Sequence, residues 1–167
     1  MTQIKILKDV YNNIVSDLER LHTFAYERVG FLYINVGRHN NNIEQIISTK
    51  YCPVPDDNYI IDPKVGARIN TTAIRTVMQR VLDTGEGVLH VHMHENIGTP
   101  RFSKTDRHSL LELIPSFQSC NSQTVHGALL LSKNSATALI WLPNEKSPVI
   151  VNNITIVGSP IVSWGRY

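Results

Sequence analysis

Hydrophobic positions along the chain change period several times, and the changes divide it into helices and strands. Val10, Ile14, Leu18 and Leu21 recur at three- and four-residue spacing, which predicts a helix over 9–22 with one buried stripe, after a short opening strand. RVGFLYINVG and the segment from Ile43 to Cys52 read as two strands of a hairpin, joined by a Gly-Arg-His-Asn-Asn-Asn stretch whose asparagines favour turns. From Cys52 to Asn70, Pro53, Pro55 and Pro63 with Asp56, Asp57, Asn58 and Gly66 deny regular structure over a length that compact domains reserve for functional loops or tolerated surface insertions.

Helical spacing returns at Ile74, Val77, Met78, Val81 and Leu82, read as one face of a helix capped by Asn70 or Thr71 and closed at Gly85-Glu86-Gly87. Val88 to His94 is the next strand. After Gly98-Thr99-Pro100, Ser103 stands at an N-cap before KTDRHSLLELI, in which Leu110, Leu111 and Ile114 supply a core face and Asp106 falls in the first turn. VHGALLLS, TALIWLP and PVIVNNITIVG complete the chain as three strands, the first two joined by Lys133-Asn134-Ser135. This order predicts an α/β fold: a mixed β-sheet flanked by helices.

With 167 residues, 42% of them hydrophobic and 18% charged, the chain suits a single domain over 1–167 with one sizeable core. A net charge of +2, with both signs dispersed, gives no electrostatic footprint for nucleic acid or an anionic membrane. Cys52 and Cys120 lack a C-x-x-C spacing, which argues against a disulfide scaffold or a thiolate zinc cage. The N-terminal stretch carries Lys5, Lys8 and Asp9, so no signal peptide is expected, and no run approaches the roughly 18 apolar residues of a membrane span. A cytoplasmic protein is the expectation.

The chemistry concentrates between His90 and Asp106. Histidines at 90, 92 and 94 alternate along a strand, so neighbours point to one face with Cα atoms about 6.6 Å apart. His90 and His94 would lie about 13 Å apart, so one ion takes an adjacent pair. His92, His94 and Asp106 offer two imidazoles and a carboxylate to Zn2+, leaving a fourth position for water. A carboxylate outside the ligand set must then move the proton. Glu27, at the entry of the strand beginning Val29-Gly30-Phe31-Leu32, is the candidate; Glu86 lies in a tight turn, and Glu95 points away from its ligand neighbour.

These residues resemble the JAB/MPN metalloproteases and their JAMM motif: an upstream glutamate, H-x-H, about seven residues, then S-x-x-D. Glu27, His92-Met93-His94, Ser103 and Asp106 match it in order. Eight residues separate His94 from Ser103, and Glu95 stands where a proline commonly follows the second histidine. The alternative register, His90 with His92, leaves ten residues before Ser103 and is the less favoured. VHGALLLSKNSATALIWLP and the terminal IVGSP are also similar to bacterial JAB proteins that accompany ubiquitin-like activating enzymes.

The resemblance implies a JAB/MPN, cytidine-deaminase-like architecture and a zinc isopeptidase or peptidase acting on a ubiquitin-like protein or its conjugates, with activating or conjugating enzymes as further partners. It implies that Ser103 donates to the oxyanion and Glu27 serves as base and then acid. A metal-free scaffold, or a peptidase of a small sulfur-carrier or peptide amide, are the other functions it allows. A zincin is excluded because Gly98 stands where H-E-x-x-H needs its second histidine, and a deaminase because P-C-x-x-C is missing. An amidohydrolase barrel of about 250 residues exceeds the chain. His22, His39, His108 and His126 read as structural, Trp141 and Trp164 as packing residues; His90 either packs near the site or hydrogen-bonds toward it.

Overall fold

Alternation of Ile4 and Ile6 with polar neighbours makes the opening segment strand β1 (Gln3–Leu7) in the computed structural model, which describes residues 2–40 and 42–165. Helix α1 (Lys8–Leu18) follows directly and buries Ile14, Asp17 and Leu18. It is shorter than its hydrophobic spacing predicts. The chain leaves the helix at Glu19, and Leu21, expected in the buried stripe, is 98% exposed. The physical reason is polar: Asp17 turns inward to accept from Tyr51 and Arg20, and the Arg20 carbonyl accepts from Arg28, which redirects the backbone.

β2 (Val29–His39) and β3 (Asn42–Pro53) pair antiparallel as the expected hairpin and extend well into the polar connection; Asn41, counted in that turn, lies outside the described residues. The segment from 54 to 70 holds one short 3-10 turn, Asp56–Asn58, and a bridge between Tyr59 and Ile69. α2 (Thr71–Thr84) is capped by the Asn70 side chain accepting from Ala73 N–H at 3.1 Å, and it ends at Gly85, whose φ of 71° is the left-handed conformation glycine favours. Leu82, expected on its buried face, is exposed, because it lies about 100° round the helix from Val81.

β4 (Gly87–Met93) leads through a loop to α3 (Lys104–Cys120), which continues past Ile114 through Pro115. Leu110, Ile114 and Phe117 form its buried face, and Leu111 points outward, against expectation. β5 (His126–Leu131) and β6 (Ala136–Trp141) follow. PVIVNNITIVG is two strands instead of one: β7 (Val149–Val151) and β8 (Ile154–Val157), before β9 (Val162–Trp164).

The nine strands among the described residues form one mixed sheet in the order β7-β6-β5-β4-β2-β3-β1-β8-β9. β7 and β8 are seven places apart in that order, about 34 Å in a flat sheet at about 4.8 Å per strand, yet only Asn152 and Asn153 connect them. The sheet must therefore curl. Its concave face gathers Ile4, Ile34, Leu89, Leu129, Ile140 and Ile156 with α1 into one core; the convex face packs Phe31, Tyr33, Val88 and Leu130 against α2 and α3. No helix among the described residues is long and apolar enough to cross a membrane.

Candidate metal centre

β4 lies between β2 and β5, and its alternation sends Val88, His90 and His92 to the convex face. The antiparallel register pairs Val29 with His92, so two steps further along each strand bring Glu27 opposite His94. Beyond the end of β4, the His94 amide still donates to Leu131 O at 2.9 Å, which keeps the chain extended through the second histidine. The following loop is tied to the β5–β6 turn: Lys133 N–H donates to Asn96 O at 3.1 Å, Gly98 N–H to Asn134 Oδ1 at 2.7 Å, and the Ser132 hydroxyl to Gly98 O at 2.7 Å. Gly98 has a φ of 89°, which requires glycine.

That loop delivers Ser103 and Asp106 as a reciprocal cap on α3. Asp106 N–H donates to Ser103 Oγ at 3.1 Å, and Ser103 N–H donates to Asp106 Oδ2 at 2.6 Å. The carboxylate is thereby fixed with its other oxygen toward β4. Asp106 Oδ1 lies 3.5 Å from His92 Nε2, Asp106 Oδ2 3.9 Å from His94 Nε2, and Glu27 Oε1 3.9 Å from the same nitrogen. One donor atom each from Glu27, His92 and His94 lie within 4.8 Å of one another. Burial raises the Asp106 carboxyl, but the adjacent His92 ring and the Ser103 cap outweigh it and hold the group well below the usual carboxylate range.

The four groups suit a tetrahedral cation. Donors about 2.1 Å from zinc sit about 3.4 Å from one another; Asp106 Oδ1 to His92 Nε2 at 3.5 Å and Glu27 Oε1 to His94 Nε2 at 3.9 Å approach that spacing, whereas Asp106 reaches His94 with its other oxygen, the one held by the Ser103 cap. His92 is buried, and neither ring nitrogen has a hydrogen-bond partner among the described residues, a costly state that a Lewis acid relieves at one of them. Two carboxylates compete for the third ligand position. Asp106 is locked by its cap and stands nearer His92; Glu27 is more exposed and stands beside His94.

His90 forms part of the floor of a cleft of about 450 Å3 that runs from Asp106 along α3, walled opposite by Val65, Ala67 and Arg68. Its ring meets Phe31 edge-on at 5.6 Å and makes no side-chain hydrogen bond among the described residues. Burial and then the His92 charge push its pKa down to about 3. Glu86 is occupied elsewhere, paired with Arg80 at 2.8 Å, and Glu95 is exposed. His126 is buried and its Nε2 bonds Asn121 O at 2.8 Å; His22 packs on Phe24 and Tyr59; His108 pairs with Glu112 on the surface of α3; His39 is exposed. Both cysteines are free thiols; Trp141 is buried and Trp164 packs edge-on against Tyr11.

Sequence reasoning missed the residues that hold the site. Arg28 is buried between Phe24 and Tyr59 and donates to Asp56 at 2.7 Å, pinning the backbone beside Glu27. Ser132 and Asn134 anchor the loop after His94, though only a polar turn was legible there. Nothing local in the sequence marks these long-range bonds.

No family model matches the chain, and no curated protein matches it. Among solved structures, the STIL N-terminal domain of Trichoplax adhaerens is similar at a TM-score of 0.28 and 11% identity, over 72% of this chain. The chain spans 33% of that structure's length, and a likeness at this TM-score carries no argument.

Proposed function

We propose that the chain is a zinc-dependent isopeptidase or peptidase of JAB/MPN architecture that cleaves or processes ubiquitin-like protein conjugates in the cytoplasm. The observation that carries this reading is the meeting of His92, His94, Asp106 and Glu27, of which His92, Asp106 and Glu27 line one cleft, with the nitrogens of buried His92 unpartnered among the described residues. His92, His94 and Asp106 would hold the ion. Bound there, zinc lowers the pKa of a water to about 7 and polarises the scissile carbonyl.

The chain's own groups do the rest. Glu27 takes one proton as the water oxygen adds to the carbonyl carbon, then returns it to the departing amine as the C–N bond breaks. The Ser103 oxygen accepts from Asp106 N–H, and its hydroxyl hydrogen remains available to donate to the oxyanion. The cleft of about 450 Å3 beside α3 offers a place for a substrate tail next to these groups.

The test is Glu27→Gln, assayed on a fluorogenic C-terminal amide of a ubiquitin-like protein and on short peptide amides. The variant keeps one zinc per chain and loses about 10^2- to 10^4-fold in kcat. Cleavage at the parental rate removes Glu27 from the role of base. A purified parent that holds no zinc near one equivalent, and takes up none on addition, overturns the enzyme reading in favour of a scaffold.

A further inference from the structure

The excursion between β3 and α2 is closed at its base and at its tip. Asn70 N–H donates to Asn58 O at 2.8 Å and Ile60 N–H to Arg68 O at 2.8 Å. At the tip the Asp62 carboxylate accepts from Lys64 N–H and from Arg68, both at 3.0 Å. Between these ties lies Gly66, whose carbonyl accepts from Tyr26 N–H at 2.8 Å and Glu27 N–H at 3.0 Å.

The contact is closer still on the side-chain side. A Cβ built on Gly66 would stand 2.8 Å from Glu27 Oε2 and 3.0 Å from its Cδ, so the Glu27 carboxylate lies across bare backbone. We propose that Gly66 is a positioning residue for Glu27: its carbonyl fixes the Glu27 backbone, and its missing side chain sets where the carboxylate stands beside His94. The proposal rests on the reading of Glu27 as the base. It also ties that base to the cleft, since Val65 and Ala67, on either side of Gly66, form part of the cleft wall.

Gly66→Ala isolates the effect. The φ of Gly66 lies outside the left-handed region, and the three nearest atoms to the added methyl all belong to the end of the Glu27 side chain. The carboxylate moves and the fold does not. A misplacement of about 1 Å at a reacting group costs up to about 100-fold in rate.

The experiment compares parent, Gly66→Ala, Glu27→Gln and the double variant, each full-length and loaded with cobalt in place of zinc. Three quantities are read: cobalt per chain, the pH midpoint of the visible cobalt bands, and kcat and KM on the fluorogenic amide. Gly66→Ala is expected to keep one cobalt and the parental melting temperature. It should move the pH midpoint, lower kcat about 10- to 100-fold with KM within about twofold, and change nothing further in the Glu27→Gln background.

Parental kcat and midpoint in Gly66→Ala overturn the proposal. So does an equal loss in both backgrounds, which would mark a merely structural role. A Gly66→Ala chain that does not fold overturns it too, since contact with a movable carboxylate cannot cost the fold. A parent without tetrahedral cobalt bands instead defeats the metal reading itself, an outcome distinct from the other three.

Discussion

The two faces of the sheet both bury polar side chains, and they treat them in opposite ways. On the concave face, Asp17 is buried with each carboxylate oxygen engaged: Tyr51 Oη donates to Oδ2 at 2.7 Å and Arg20 to Oδ1 at 2.8 Å. On the convex face, His92 is also buried, with neither ring nitrogen hydrogen-bonded among the described residues, beside His94, Asp106 and Glu27. A satisfied network is complete in itself and stabilises one arrangement. An unsatisfied convergence of donors of one chemical type calls for something to bind. His126, one strand away on the same convex side, stands between the two cases: its Nε2 bonds Asn121 O, its Nδ1 has no partner among the described residues, and no carboxylate pairs with it there.

Zinc should separate the two faces most strongly. At a free concentration of about 1,000 times Kd, zinc stabilises the parent by about 4 kcal/mol, read as a rise in melting temperature that a chelator reverses. His94→Ala, which removes a partly exposed ring and leaves the core intact, abolishes that rise. An equal rise in both proteins would break the comparison. Asp17→Ala is expected to act the other way. It strands the Tyr51 hydroxyl, whose pKa burial and the Asp17 bond already raise far above its usual value, and costs about 2–3 kcal/mol by chemical denaturation. The zinc-dependent rise stays unchanged, and Asp17→Asn, which keeps an acceptor, costs less.

The convex site was legible because its two signals are local. Alternation along a strand puts His92 beside its neighbours, and Ser-x-x-Asp before an apolar run is a cap whatever else it does, so Ser103 and Asp106 could be placed from eight intervening residues. The concave network was not legible, because Tyr51 reaches the local Asp17–Arg20 pair only after the sheet has formed, and the inward turn of Asp17 ends α1 early and leaves Leu21 outside. Long-range register decided the C-terminal third as well. PVIVNNITIVG reads as one strand by composition, but β6 claims its first half and β1 its second, which only a curled sheet permits. Gly66 was visible merely as a loop glycine; its fit against Glu27 depends on contacts across 39 positions of sequence.

Along β4 the contrast between faces recurs within one face, and it yields the smallest expected effect. At the end remote from His92, Glu86 accepts from Thr49 and Thr84 and pairs with Arg80, which lies over the Tyr33 ring at 4.5 Å. Burial raises the Glu86 carboxyl, but those three partners outweigh it and hold the group below its usual value. A folded pKa below the unfolded one contributes stability above the unfolded value, and that contribution fades as pH falls through the folded value. Glu86→Gln keeps an acceptor for Thr49 and loses only the charge, so it should cost about 1 kcal/mol at pH 7. The difference from the parent should then close as pH falls below about 4.3. Denaturation of both proteins from pH 7 to pH 3 measures it, and a gap that widens toward acid would place Glu86 with the unsatisfied groups near His92 instead of with the satisfied ones.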